Sequence, residues 1–123
     1  MSGQQACPAD PAQDSGGAHV SLDLLTLRNA NVKRCVTSFR HALEDWSEME
    51  WGCAAAGEMG ELCNLLKKRK RGEDIPLREV LNEIADVIIY LDLLAARLGT
   101  HLSGPIRDKF NETSMKKGSD IFL

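Results

Sequence analysis

The chain is short of aromatic residues (5%), has no excess of basic charge and contains no long apolar run, and each shortage removes a class of explanation. A net charge of −3 does not suit a general nucleic-acid binder, whose phosphate contacts need a basic face. No segment approaches the roughly 18 apolar residues of a membrane span, and residues 1–20 lack the basic start and apolar run of a secretory leader. A soluble, cytoplasmic protein with no membrane partner is therefore expected. Cys7, Cys35, Cys53 and Cys63 form no Cys-x-x-Cys pair, and no histidine stands at zinc-ligand spacing, so free thiols are expected rather than a zinc or thioredoxin-like site. His19, His41 and His101 form no recognisable constellation. Strand-like alternation is missing too, which points to an all-α fold.

What is present suits one globular domain. The 123 residues are 43% hydrophobic and 27% charged, enough for a core but small for a helical enzyme working alone, so an oligomer is expected. Residues 1–20, broken by Pro8, Pro11 and Gly16-Gly17, read as a disordered tail; residues 21–118 read as the domain, and 119–123 as a short C-terminal tail. Ser21 suits the cap of a short helix through Leu22, Leu24 and Leu25, with a break near Asn31. The spacing of Cys35, Val36, Phe39, Leu43 and Trp46 predicts an amphipathic helix over 32–47. A second runs from Met49 to about Lys70, rich in small residues that let a neighbouring helix come close. Gly72 and Pro76 mark a turn. Leu77–Leu98 follows, apolar on nearly its whole circumference and so expected to be buried on most sides. Gly99 ends it, and a last helix spans about Ser103–Lys116. The sum is an antiparallel bundle of four to five helices.

Within two of these segments sit acids in unfavourable company. Between Trp51 and Leu66 the only charged residues are Glu58 and Glu61; between Val80 and Leu91 they are Glu83 and Asp86. In helices, i and i+3 share a face, so each couplet presents two carboxylates together. Glu61 lies 11 residues before Gly72 and Glu83 lies 11 after it, so an antiparallel hairpin sets the couplets side by side. Isolated ionised carboxylates in apolar surroundings cost several kcal/mol each, and a hard divalent cation with its preference for oxygen ligands would compensate them. Solvated acids on an exposed stripe, or a metal-free network paired with Lys or Arg, remain the alternatives.

The strings GEMGELCN and EIADVIIYLDLLAARLG, carrying Glu58-x-x-Glu61 and Glu83-x-x-Asp86, resemble the MazG-like branch of the all-α nucleoside triphosphate pyrophosphohydrolases. That superfamily is similar in motif to dCTP pyrophosphatases, dimeric dUTPases and phosphoribosyl-ATP pyrophosphohydrolase. The resemblance covers roughly residues 24–117. It implies Mg²⁺-dependent cleavage of a nucleoside triphosphate between the α and β phosphates, with Mn²⁺ as a substitute ion, and assembly into homodimers or homotetramers. The four acids are then catalytic residues and metal ligands or neighbours of the ligands, the general base being one of the four, with Glu61 as the candidate. Tyr90, four residues after Asp86, resembles a tyrosine walling the nucleotide site, and Trp46 stands where relatives place an aromatic residue or histidine against the base. Lys109 and Asn111 match a segment of the last helix that meets phosphate or sugar. The chain departs from the dCTP-pyrophosphatase pattern here, so base specificity does not transfer.

The run Lys67-Lys68-Arg69-Lys70-Arg71 suits the negative end of a helix dipole, and through Lys68 it would also draw phosphates toward the acids. Nucleic-acid binding by this run is disfavoured by the acidic balance. A helical regulatory module that binds metal or nucleotide without turning it over is the alternative to an enzyme.

Overall fold

The computed structural model describes residues 21–123, so the expected N-terminal tail and His19 lie outside the described residues. Four α-helices follow in order: α1 (Leu24–Thr37), α2 (Glu48–Lys70), α3 (Leu77–Arg97) and α4 (Ser103–Lys116), with one 3₁₀ turn, Leu43–Asp45, between α1 and α2. No strand occurs among the described residues, and the all-α expectation holds.

The α2–α3 hairpin is the frame. Ser47 opens α2: its hydroxyl accepts from the Glu50 amide at 3.2 Å while the Glu50 carboxylate accepts from the Ser47 amide at 2.7 Å, a reciprocal cap that satisfies two orphan donors. The helix ends in Lys67, Lys68, Arg69 and Lys70, cations beside its unpaired carbonyls. Gly72, at φ +90°, turns the chain as expected, and Gly99, at φ +73°, closes α3 in the same way.

The N-terminal third departs from expectation at two places. No break occurs near Asn31. Asparagine disfavours a helix interior by competing for backbone groups, but here its side-chain nitrogen is engaged elsewhere, donating to Ile89 O at 3.0 Å and to Asp92 Oδ2 at 3.1 Å. The short first helix and the next one are therefore one helix, α1. That helix ends at Thr37 instead of running to Ser47. Arg40 takes a positive φ of 51°, the His41 amide reaches back to Cys35 O at 3.0 Å, and Cys35 Sγ donates to His41 O. The chain thus folds over Cys35, and Phe39, expected on an inner stripe, is exposed.

The α1 helix docks on α3 through a buried polar knot. Arg28 Nε pairs with Asp92 Oδ1 at 3.0 Å, its other nitrogens donate to Thr100 O and Asp92 O, and Asp92 is fully buried. The apolar core is small: Cys35, Trp51 and Leu93, with Leu43, Trp46, Tyr90 and Leu94 packed against it. Trp51 is fixed by its indole N–H donating to Leu43 O at 2.9 Å.

The expected burial of α3 on most sides is not what the single chain shows. Leu77, Leu81, Ile84, Ile88 and Leu91 are each 38–59% exposed, because α2 and α1 cover two sides of α3 and leave a third. The short C-terminal tail is tied down rather than loose: Asn111 Oδ1 accepts from the Leu123 amide at 2.9 Å and its Nδ2 donates to Leu123 O at 3.3 Å. Among the described residues no helix is long and apolar enough to cross a membrane.

Candidate metal and nucleotide site

Helical register explains where the four acids go. The α2 residues turned toward α3 are Trp51, Ala55, Glu58, Leu62 and Leu65, and the α3 residues turned toward α2 are Val80, Glu83, Val87, Tyr90 and Leu94, both at alternating steps of three and four. Glu58 and Glu83 hold inward positions and are half-buried. Glu61 and Asp86 each come one residue before an inward position, on the flank of the seam, and both are exposed.

The equal distance of the two couplets from Gly72 brings three of the four acids together. Glu58, Glu83 and Asp86 each offer a carboxylate oxygen within 4.8 Å of the others. Glu61 stands just outside that triad, close enough for its charge to act on Glu83. Burial is the main force raising the Glu83 carboxyl above its usual 4.5, followed by a hydrogen-bonding contact with the Glu58 carboxyl and repulsion from Glu61, Glu58 and Asp86. Glu83 Oε2 is buried without a hydrogen-bond partner. A buried oxygen with no donor, inside a cluster of like charge, is a position that a hard cation would satisfy.

Beside the triad lies a cavity of about 450 Å³, inside the roughly 300–1,000 Å³ range of small-molecule sites. Asp86 lines it, so the acids and the cavity share a wall. Its aromatic side is built by Trp46, Trp51, Tyr90, Phe39 and His41. The His41 ring stands edge-on to Trp46 at 4.8 Å and to Trp51 at 5.4 Å between centroids, and the two indoles are 4.6 Å apart. Arg97 on α3 holds the Trp46 backbone by donating from Nε to its carbonyl at 3.1 Å. Cys35 also lines the cavity, but burial pushes its thiol up, so it is a packing group and not a nucleophile.

Of the sequence-predicted residues, then, Glu58, Glu83, Asp86, Trp46 and Tyr90 come together, and Glu61 flanks them. Lys68 is half-buried two turns beyond Glu61 on the same face of α2, about 10 Å along the axis. Lys109 and Asn111 are not brought to the acids. Lys109 pairs with Glu112 at 3.6 Å on exposed α4, and Asn111 is the clamp on Leu123. Trp51 is both core and cavity wall.

His41 was missed. The expectation that no histidine belongs to a constellation is overturned for it, since it stands five residues before Trp46 and joins it only because α1 stops at Thr37. The signal that locates this stop is Ser47-x-x-Glu50, a helix start that leaves residues 38–46 as a connection.

Comparison of the chain with protein-family models, with curated proteins and with solved structures finds no match in any of the three. The functional reading therefore rests on the site itself and on the motif resemblance.

Proposed function

We propose that the protein is a Mg²⁺-dependent nucleoside triphosphate pyrophosphohydrolase that works as an oligomer of identical chains and acts in nucleotide-pool control or house-cleaning. The observation that carries this reading is the triad of carboxylates on two helices sharing Asp86 with an aromatic-walled cavity. A nucleoside triphosphate has roughly four negative charges on one end and a flat aromatic base on the other, and the two halves of the site match those ends in kind.

Glu58, Glu83 and Asp86 would hold Mg²⁺, or Mn²⁺ in its place. Bound there, the ion supplies counter-charge to the phosphates and lowers the pKa of water. The chain's own residues do the rest. Trp46, Tyr90 and His41 enclose the base and exclude water from one side of the substrate, while Arg97 fixes the position of Trp46. Lys68 adds positive charge on the approach to the acids. Glu61, outside the triad, takes the proton from the attacking water. Water adds at the α phosphorus, the α–β anhydride bond breaks, and nucleoside monophosphate and pyrophosphate leave.

The test is a panel of canonical and modified NTPs and dNTPs with Mg²⁺, read as pyrophosphate release. Turnover of at least one nucleotide is expected, lost in Glu58→Gln and Asp86→Asn. Nucleotide binding without turnover across the panel would replace the enzyme by a binding module.

A further inference from the structure

The cavity beside the acids has a fixed cation on its wall. Among the described residues that line it, Arg34 is the only lysine or arginine. Its guanidinium carbon lies over the Phe39 ring, 5.4 Å from the centroid, and Phe39 lines the same cavity. Both side chains are exposed, so they stand at the cavity mouth. Among the described residues no carboxylate pairs with Arg34. The neighbouring arginines are taken, Arg28 by Asp92 and the Thr100 carbonyl, Arg97 by the Trp46 carbonyl.

The docking of α1 on α3 sets the height of this cation. Arg28 bonds to Asp92 and Thr100, and Asn31 to Ile89 and Asp92, so the contacts move back along α3 as they move forward along α1. Arg34 lies three residues beyond Asn31, and Asp86 three before Ile89; at 1.5 Å per residue each step is about 4.5 Å. Arg34 therefore stands level with Asp86, the acid that joins the triad to the cavity. A cation in the last turn of α1 suits the helix dipole on any face, but this face alone puts it on the cavity with the acids.

The charge of the site calls for such a group. Three ionised carboxylates outweigh one divalent ion, and Glu61 adds a fourth, while a nucleoside triphosphate brings roughly four more negative charges. Mg²⁺ alone leaves that sum well on the negative side. Lys68 is not on the cavity wall, and Arg34 is. A guanidinium presents parallel N–H groups that match two phosphate oxygens, and an aromatic ring beneath it holds the fork in place. We propose that Arg34 is a phosphate-binding residue: its guanidinium, held over Phe39, donates to non-bridging oxygens of the nucleoside triphosphate, a role that rests on the nucleotide reading of the cavity. The triphosphate is then held from α1 as well as from the α2–α3 hairpin.

Quenching of Trp46 and Trp51 fluorescence in the full chain reads binding of α,β-methylene nucleoside triphosphates with Mg²⁺, analogues that cannot be cleaved at the α–β bond. The wild-type chain is expected to bind at least one of them. Arg34→Met keeps an unbranched stem over Phe39 without the charge. It is expected to bind the same analogue roughly tenfold to a hundredfold more weakly, at an unchanged melting temperature. Arg34→Lys, which restores the charge but not the fork, is expected to regain part of the loss. An Arg34→Met chain that binds as tightly as wild type overturns the inference and leaves the nucleotide reading standing. So does weaker binding that comes with a lower melting temperature and is not regained in Arg34→Lys. A wild-type chain that binds none of the analogues removes the nucleotide reading, and this inference with it.

Discussion

The two flanks of the α2–α3 seam differ by a displacement of two residues in sequence and have opposite chemistry. One step before the inward positions come Glu61 and Asp86; one step after come Ile84, Ile88 and Met59. On the first flank the hairpin gathers charge beside an aromatic cavity, and on the second it exposes a row of aliphatic residues. The inward row is the hinge between them, and it holds both Glu58 and Glu83. A frame this thin, two helices and part of a third, must use every side. The polar knot of Arg28, Asn31 and Asp92 covers the far side of α3, the cavity and acids take one flank, and the other flank is exposed.

The comparison yields predictions of decreasing size. Glu83→Gln removes a carboxylate from the triad and is expected to abolish Mg²⁺-dependent turnover to the limit of detection, measured as pyrophosphate release. Its effect on the metal-free fold runs the other way. Because Glu83 is held above 4.5 in the folded chain, the folded state binds the proton more tightly than the unfolded one. Stability contributed by that difference is present at and below the usual value and lost as pH rises through the raised one. Thermal melts of the metal-free protein are therefore expected to fall over that window in wild type and to stay flatter in Glu83→Gln. Mg²⁺ should restore the wild-type Tm at neutral pH and leave the variant unchanged.

Asp92→Ala leaves the Arg28 guanidinium without its buried partner and is expected to cost about 3–5 kcal/mol by denaturant unfolding. That variant breaks the side of α3 which both flanks depend on, so mass and turnover should suffer together. Gly52→Leu separates the flanks. The position is open in the single chain, and leucine favours a helix over glycine by roughly 0.5–1 kcal/mol, so the hairpin itself should not lose stability. Self-association of the oligomer proposed for the protein should weaken all the same, read as a rise in its dissociation constant. The smallest effect is expected at Ser47→Ala, about 1 kcal/mol, from loss of the cap that starts α2 and sets the end of the connection carrying His41.

Much of this is legible in the sequence. The hairpin turn at Gly72, the bounds of α2, α3 and α4, and the meeting of the two couplets all follow from local signals: a glycine at positive φ, helical period, and equal spacing from the turn. Trp46 and Tyr90 were legible beside the acids through the motif resemblance. What escaped depends on contacts between distant segments. Asn31 stays helical because Asp92, 61 residues away, takes its amide, and no local propensity reports that. The stop at Thr37 comes from the chain folding back onto Cys35, which is why His41 went unassigned. The open row on α3 looked like burial because composition shows only that a face is apolar, not whether the rest of the chain covers it. Asn111 matched a phosphate-contacting segment and in the single chain holds Leu123 instead.

The most direct measurement of the central claim compares wild type with Glu83→Gln on a panel of nucleoside triphosphates, with and without Mg²⁺, counting pyrophosphate released. The account predicts release for at least one nucleotide from wild type with Mg²⁺ present, and none without the metal or from the variant. Release that is independent of Mg²⁺, undiminished turnover in Glu83→Gln, or no release from any nucleotide would contradict it.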